Sequence, residues 1–168
     1  MKTKDYFAHT VAAFIFALVY DSIFARWSIQ SYLIFVILVA VTASPRLAYL
    51  WSIILGVFLD SSLALPSGIL LISLITTTAL THLCLNNFFT ARSVHSVLIL
   101  MPLSTLIFQL MRYLLPLLLR TLNIGVAYLN LDLFNAGKLI ILNTITAVGL
   151  FLIYYFFRAR WQNMFLTR

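Results

Sequence analysis

Six stretches of this chain run close to the thickness of a lipid bilayer with few charges in them, at residues 6–24, 29–43, 47–63, 68–85, 94–119 and 134–157. A helix that crosses the hydrocarbon core needs roughly 20 apolar residues, within a range of about 17–25. Lipid offers no water to hydrogen-bond the backbone, so such segments satisfy their own N–H and C=O groups as helices. Composition agrees: 63% of the 168 residues are hydrophobic and 9% are charged, against about 25% charged in soluble domains. The expected fold is therefore all-α and polytopic, one integral membrane domain over residues 1–168 with six transmembrane helices.

The second and third stretches are short and are separated by "TASPR" at residues 42–46. Pro45 steers Ser44 away from helical angles, so a helix boundary is expected there rather than one long kinked segment. Charge supports the same division. With six spans and the N-terminus inside, Lys2, Lys4, Arg46, Arg92, Arg158, Arg160 and Arg168 lie on the cytoplasmic side, and Arg26 and Arg120 lie outside. That bias is the positive-inside pattern and puts both termini in the cytoplasm. The fifth stretch is longer than a bilayer requires and contains Pro102, which predicts a bend, with Pro116 helping to end it.

Several function classes are disfavoured. The net charge of +7 is scattered singly between apolar runs and forms no basic patch interleaved with stacking residues, so nucleic acid is not an expected partner. The single Cys84 has no intramolecular disulfide partner and reads as a small buried hydrophobe. The basic start and apolar run of residues 1–20 resemble a signal peptide. No small-residue cleavage pattern surrounds Ala25, however, and an uncleaved first helix is expected. His9, His82 and His95 fall at span ends with no acidic or thiolate ligand at matching spacing, so no metal is expected. No nucleophile elbow, zinc-protease, P-loop or CxxC pattern is present. An enzyme and a cofactor are accordingly not expected.

Polar residues within the stretches recur at helical spacing. His9, Ala13, Ala17 and Asp21 share one face of the first. Ser52, Gly56 and Asp60 share a face of the third, and Ser73, Thr77 and Thr81 a face of the fourth. Pro102, Thr105, Gln109, Arg112 and Pro116 line one face of the fifth. Small and hydroxyl residues on such faces mostly report close helix packing. The charged residues Asp21, Asp60, Arg112 and Lys138 all fall toward the same membrane surface, with Gln109 one turn below Arg112. Two readings stand. Arg112 and Lys138 reach the headgroups by snorkelling, or the group forms a paired polar cluster under an outward cleft, Asp60 with Arg112 in particular.

The stretch "GVFLDSSLALPSG" at residues 56–68 carries the most pattern. Asp60 stands near the end of a span, Pro66 suits the first turn of the next helix, and Gly68 permits close backbone approach. Gly56, Asp60, Pro66 and Gly68, as G-x3-D-x5-P-x-G on a span-turn-span, resemble the rod shape-determining MreD family of bacterial inner-membrane proteins. "NNFFTARS" at residues 86–93 is similar to that family's cytoplasmic connection. The resemblance implies a non-enzymatic member of the elongation machinery that builds side-wall peptidoglycan. Its implied partners are an MreC-like protein, the cytoskeletal MreB and the RodA/penicillin-binding-protein synthase. It also implies an architecture similar to the substrate-binding subunits of energy-coupling-factor vitamin transporters. That likeness supplies the alternative function, small-molecule capture, in which Ala13 and Ala17 would meet the transporter core. A lipid-binding membrane protein is a third reading.

Overall fold

The computed structural model describes residues 30–62, 68–88, 93–122 and 133–165. Five α-helices occupy them: α1 (Ser31–Thr42), α2 (Pro45–Ser62), α3 (Ile69–Phe88), α4 (Val94–Thr121) and α5 (Leu133–Phe165). The first expected span, 6–24, lies outside the described residues. Three helical segments, Ile69–Phe88, Val94–Thr121 and Phe134–Phe156, are long and apolar enough to cross a membrane. The segment Ser31–Thr42 is apolar but has only 12 residues. It reaches about 18 Å at 1.5 Å per residue, short of the ~30 Å hydrocarbon core.

That short helix is the centre of the fold. Leu33, Val36, Ile37 and Val41 on α1 are fully buried, and α1 packs against all four other described helices. A helix apolar on every side belongs inside a bundle, and its neighbours rather than lipid supply its surroundings. Around it, α2 packs on α3, α3 on α4 and α4 on α5, so helices adjacent in sequence are adjacent in space.

Local chemistry explains the boundaries. The expected break at "TASPR" falls between α1 and α2. Pro45 opens α2, where its missing N–H is not needed, and the Ser44 hydroxyl accepts from Leu47 N at 3.4 Å. Ser93 caps α4 in extended conformation, and its side chain accepts from Ser96 N at 3.4 Å. Helix α4 continues through both prolines and runs past Pro116 to Thr121, so Pro116 does not end it. Its 28 residues span about 42 Å, more than the hydrocarbon core. Just after Pro102, Ser104 and Thr105 donate their hydroxyls to the carbonyls of Leu100 and Met101 at 2.6 and 2.9 Å.

Exposed side chains are mostly apolar. Leu50, Ile53, Val57 and Phe58 on α2 and Ile141, Ile145, Ile153 and Tyr155 on α5 are 48–66% exposed. A water-facing bundle would present charge there, whereas a membrane accepts such a surface.

Candidate functional site

Asp60 stands on the last full turn of α2 and ties it to α3. Its Oδ2 accepts from Gly68 N at 3.0 Å and Leu71 N at 3.1 Å, and its Oδ1 accepts from Leu70 N at 3.0 Å. The first N–H groups of a helix have no partner within it, and negative charge at that end also meets the positive pole of the helix dipole. Here the cap comes from the preceding helix. Gly68 has φ +102, a conformation that side chains other than hydrogen rarely adopt. One turn before Asp60, Gly56 is pressed against α3: a Cβ built there would lie 2.6 Å from Leu71 Cα. Gly56, Asp60 and Gly68 therefore form one clasp, with Leu71 gripped at both its N–H and its Cα. Pro66 lies outside the described residues.

Asp60 is thus occupied by backbone, and the expected ion pair with Arg112 does not form among the described residues; the carboxylate's hydrogen bonds go to α3. The physical reason is proximity. Donors 8, 10 and 11 residues away along the chain close a short loop at small entropic cost.

Hydroxyl and amide groups join the remaining helices. Ser52 on α2 and Thr78 on α3 lie 2.7 Å apart, both buried, one donating to the other. Thr81 on α3 and Ser104 on α4 make the same contact at 2.8 Å. On α5, Asn143 is fully buried. Its Oδ1 accepts from Gln30 N at 3.1 Å, and its Nδ2 donates to Gln30 Oε1 at 3.3 Å and Thr105 Oγ1 at 3.4 Å. This knot ties the start of α1 to α4 and α5. The expected faces with Ser52, Ser73, Thr77, Thr81 and Thr105 are buried. Sequence reasoning missed Gln30, Thr78, Ser104 and Asn143. The available signal for Asn143 was an amide in the middle of a long apolar run, since such a group seeks a partner on another helix.

Above the knot on α4 the polar groups are not satisfied. Gln109 Nε2 and Arg112 Nε are buried with no hydrogen-bond partner. The Arg112 guanidinium lies 5.9 Å from the centroid of the Phe108 ring. Phe108 is fully buried and meets Tyr32 of α1 edge-on at 5.8 Å. Side chains on a helix lean toward its N-terminus, and the stacking on Phe108 shows Arg112 doing so. It is folded down onto the preceding turn instead of stretching toward the Thr121 end as snorkelling would require.

The other members of the expected charged group are apart. Lys138 is exposed on α5, where it borders an open apolar groove with Phe134, Ile141 and Leu142. Asp21 lies outside the described residues. Of the histidines, His82 sits within hydrogen-bond distance of Asn86, at 3.2 Å, and packs edge-on against Tyr49. Comparison of the chain with protein-family models, with curated proteins and with solved structures finds no match.

Proposed function

We propose that this chain is a non-enzymatic membrane scaffold of the MreD kind. In this reading it sits in the bacterial cytoplasmic membrane with six spans and both termini inside, and holds an MreC-like partner for the side-wall elongation machinery. The observation that carries the reading is the clasp. Gly56, Asp60 and Gly68, which carry the family resemblance, are spent on gluing α2 to α3. Asp60 has three N–H donors on it, so both of its oxygens are committed to the start of α3. A pattern used wholly for rigidity suits a protein whose task is to present a shaped surface to other membrane helices.

The test is recovery of partners. The tagged full chain, extracted from native membranes in mild detergent, is expected to bring down an MreC-like protein, with RodA/penicillin-binding-protein synthase and MreB in lesser amount. Depletion should round rod-shaped cells. Recovery of an ATPase module with a bound vitamin, and no MreC-like protein, would replace the scaffold with the energy-coupling-factor reading. Orientation is tested by a cysteine at position 93 in a Cys84→Ser background. Labelling by an impermeant reagent from the periplasm would overturn the six-span topology.

A further inference from the structure

Buried donors without acceptors are rare in folded proteins, and each calls for an explanation. Gln109 Nε2 and Arg112 Nε are two such donors on adjoining turns of α4. Both lie in the apolar segment Val94–Thr121, where little water is available to satisfy them. Asp60, the one carboxylate side chain among the described residues, is already used, because it binds the start of α3. The guanidinium is held, with Phe108 under it and Tyr32 wedging Phe108 in turn. A held guanidinium presents a planar fork that matches an oxyanion, and the Gln109 amide adds a further donor beside it.

The surroundings narrow the ligand. From Arg112 toward Val94, into the bilayer, Leu106, Leu103, Ile99 and Leu98 of α4 are all exposed, forming a surface for hydrocarbon. An oxyanion that arrives attached to acyl chains gains from that surface. A free anion would instead be dehydrated without compensation. We propose that Gln109 and Arg112 form a binding site for a phosphate-class oxyanion, supplied by the headgroup of a membrane phospholipid whose chains lie along the Val94 half of α4. Unlike the scaffold reading, the site requires no partner protein, and either can fail without the other.

The experiment uses the full chain, purified in neutral detergent and stripped of lipid. Phosphatidylglycerol in mixed micelles, diacylglycerol with the same chains, and inorganic phosphate are added in separate arms. Binding is read by native mass spectrometry and by the melting midpoint. Phosphatidylglycerol is expected to give a 1:1 adduct and a raised midpoint, and diacylglycerol neither. Arg112→Gln and Gln109→Leu should each weaken the apparent affinity by about tenfold, the usual scale for one charge-assisted hydrogen bond. Arg46→Gln, at the exposed start of α2, should leave it unchanged. The lipid-free midpoint of each variant reports whether it has folded, and the two variants lose different donors, so one failure leaves the other informative. Equal protection by inorganic phosphate, lost in Arg112→Gln, supports the oxyanion site and transfers its source to the soluble anion. Wild-type affinity in both variants overturns the proposal. So does a chain that binds phosphatidylglycerol only after Asp21→Asn, because the protein would then fill the site with its own carboxylate.

Discussion

The Asp60 carboxylate accepts three backbone N–H groups at 3.0–3.1 Å, whereas the buried Arg112 Nε, two helices further on, meets no acceptor. Both side chains carry charge into an apolar bundle. The difference lies in how far each must go for a partner. Asp60 ends one helix and finds the unpaired start of the next within 11 residues. Arg112 sits mid-helix, where neighbouring carbonyls are already engaged by their own helix, and its stacking on Phe108 satisfies the face of the guanidinium but not its edge. Charge at a helix junction is structural here; charge in a helix interior is left available.

If that contrast is right, the clasp dominates stability. Asp60→Ala leaves three N–H groups at the start of α3 without their acceptor, and should cost about 3 kcal/mol in lipid-free detergent. Asp60→Asn should lose roughly half of that, because one oxygen can still take two of the three donors. Thermal melting of both variants checks the order, and a wild-type midpoint in Asp60→Ala would remove the clasp as a stabilising unit. Gly56→Ala comes next. Its Cβ would sit 2.6 Å from Leu71 Cα, and backbone cannot swing aside as a side chain can. Separating α2 from α3 should cost about 2 kcal/mol and lengthen all three Asp60 hydrogen bonds. An unchanged midpoint would show that the two helices are not held at that distance. At Gly68 nothing lies within 4 Å of an added Cβ, so only the φ of +102 resists substitution. Gly68→Ala should therefore cost about 1 kcal/mol, less than Gly56→Ala, and a reversed order would contradict the geometry.

This contrast also explains what was legible in the sequence. The residues of the clasp could be singled out because they lie close together in the chain and stand out from the apolar runs around them. The sequence read Asp60 toward Arg112, however, and Gly68 as a close approach; the cap on α3 and the positive φ come from the structure. The break at Pro45 and the positions of the described helices were legible for the same local reasons. The central place of α1 was not. Its residues 31–42 read as part of a short span, and only the packing shows a 12-residue helix buried among four others. Nor was the Asn143 knot, whose partners stand 38 and 113 residues away. Helical spacing correctly grouped Gln109 with Arg112 on α4. It carried no information about what stands opposite them, so the suggested pair with Asp60 rested on opposite charge and a shared membrane surface.

The smallest expected effect gives the finest discrimination. Arg112→Met removes the stacking on Phe108, worth up to about 1 kcal/mol. It also removes a buried donor that lacks an acceptor, a liability of about 1–3 kcal/mol, and the flexible methionine can keep much of the packing. In lipid-free detergent the variant should therefore be as stable as the parent or up to about 1 kcal/mol more stable. Charge itself predicts the opposite wherever Arg112 has an internal partner, because breaking a buried pair costs about 3–5 kcal/mol. Combining Arg112→Met with Asp60→Ala separates the two cases. Residues that share no contact should add within about 0.5 kcal/mol, so the double variant should fall by what Asp60→Ala loses, less what Arg112→Met gains. A coupling energy above about 1 kcal/mol would mean that carboxylate and guanidinium sense one another across the bundle, and the division between a satisfied junction and an available interior charge would no longer hold.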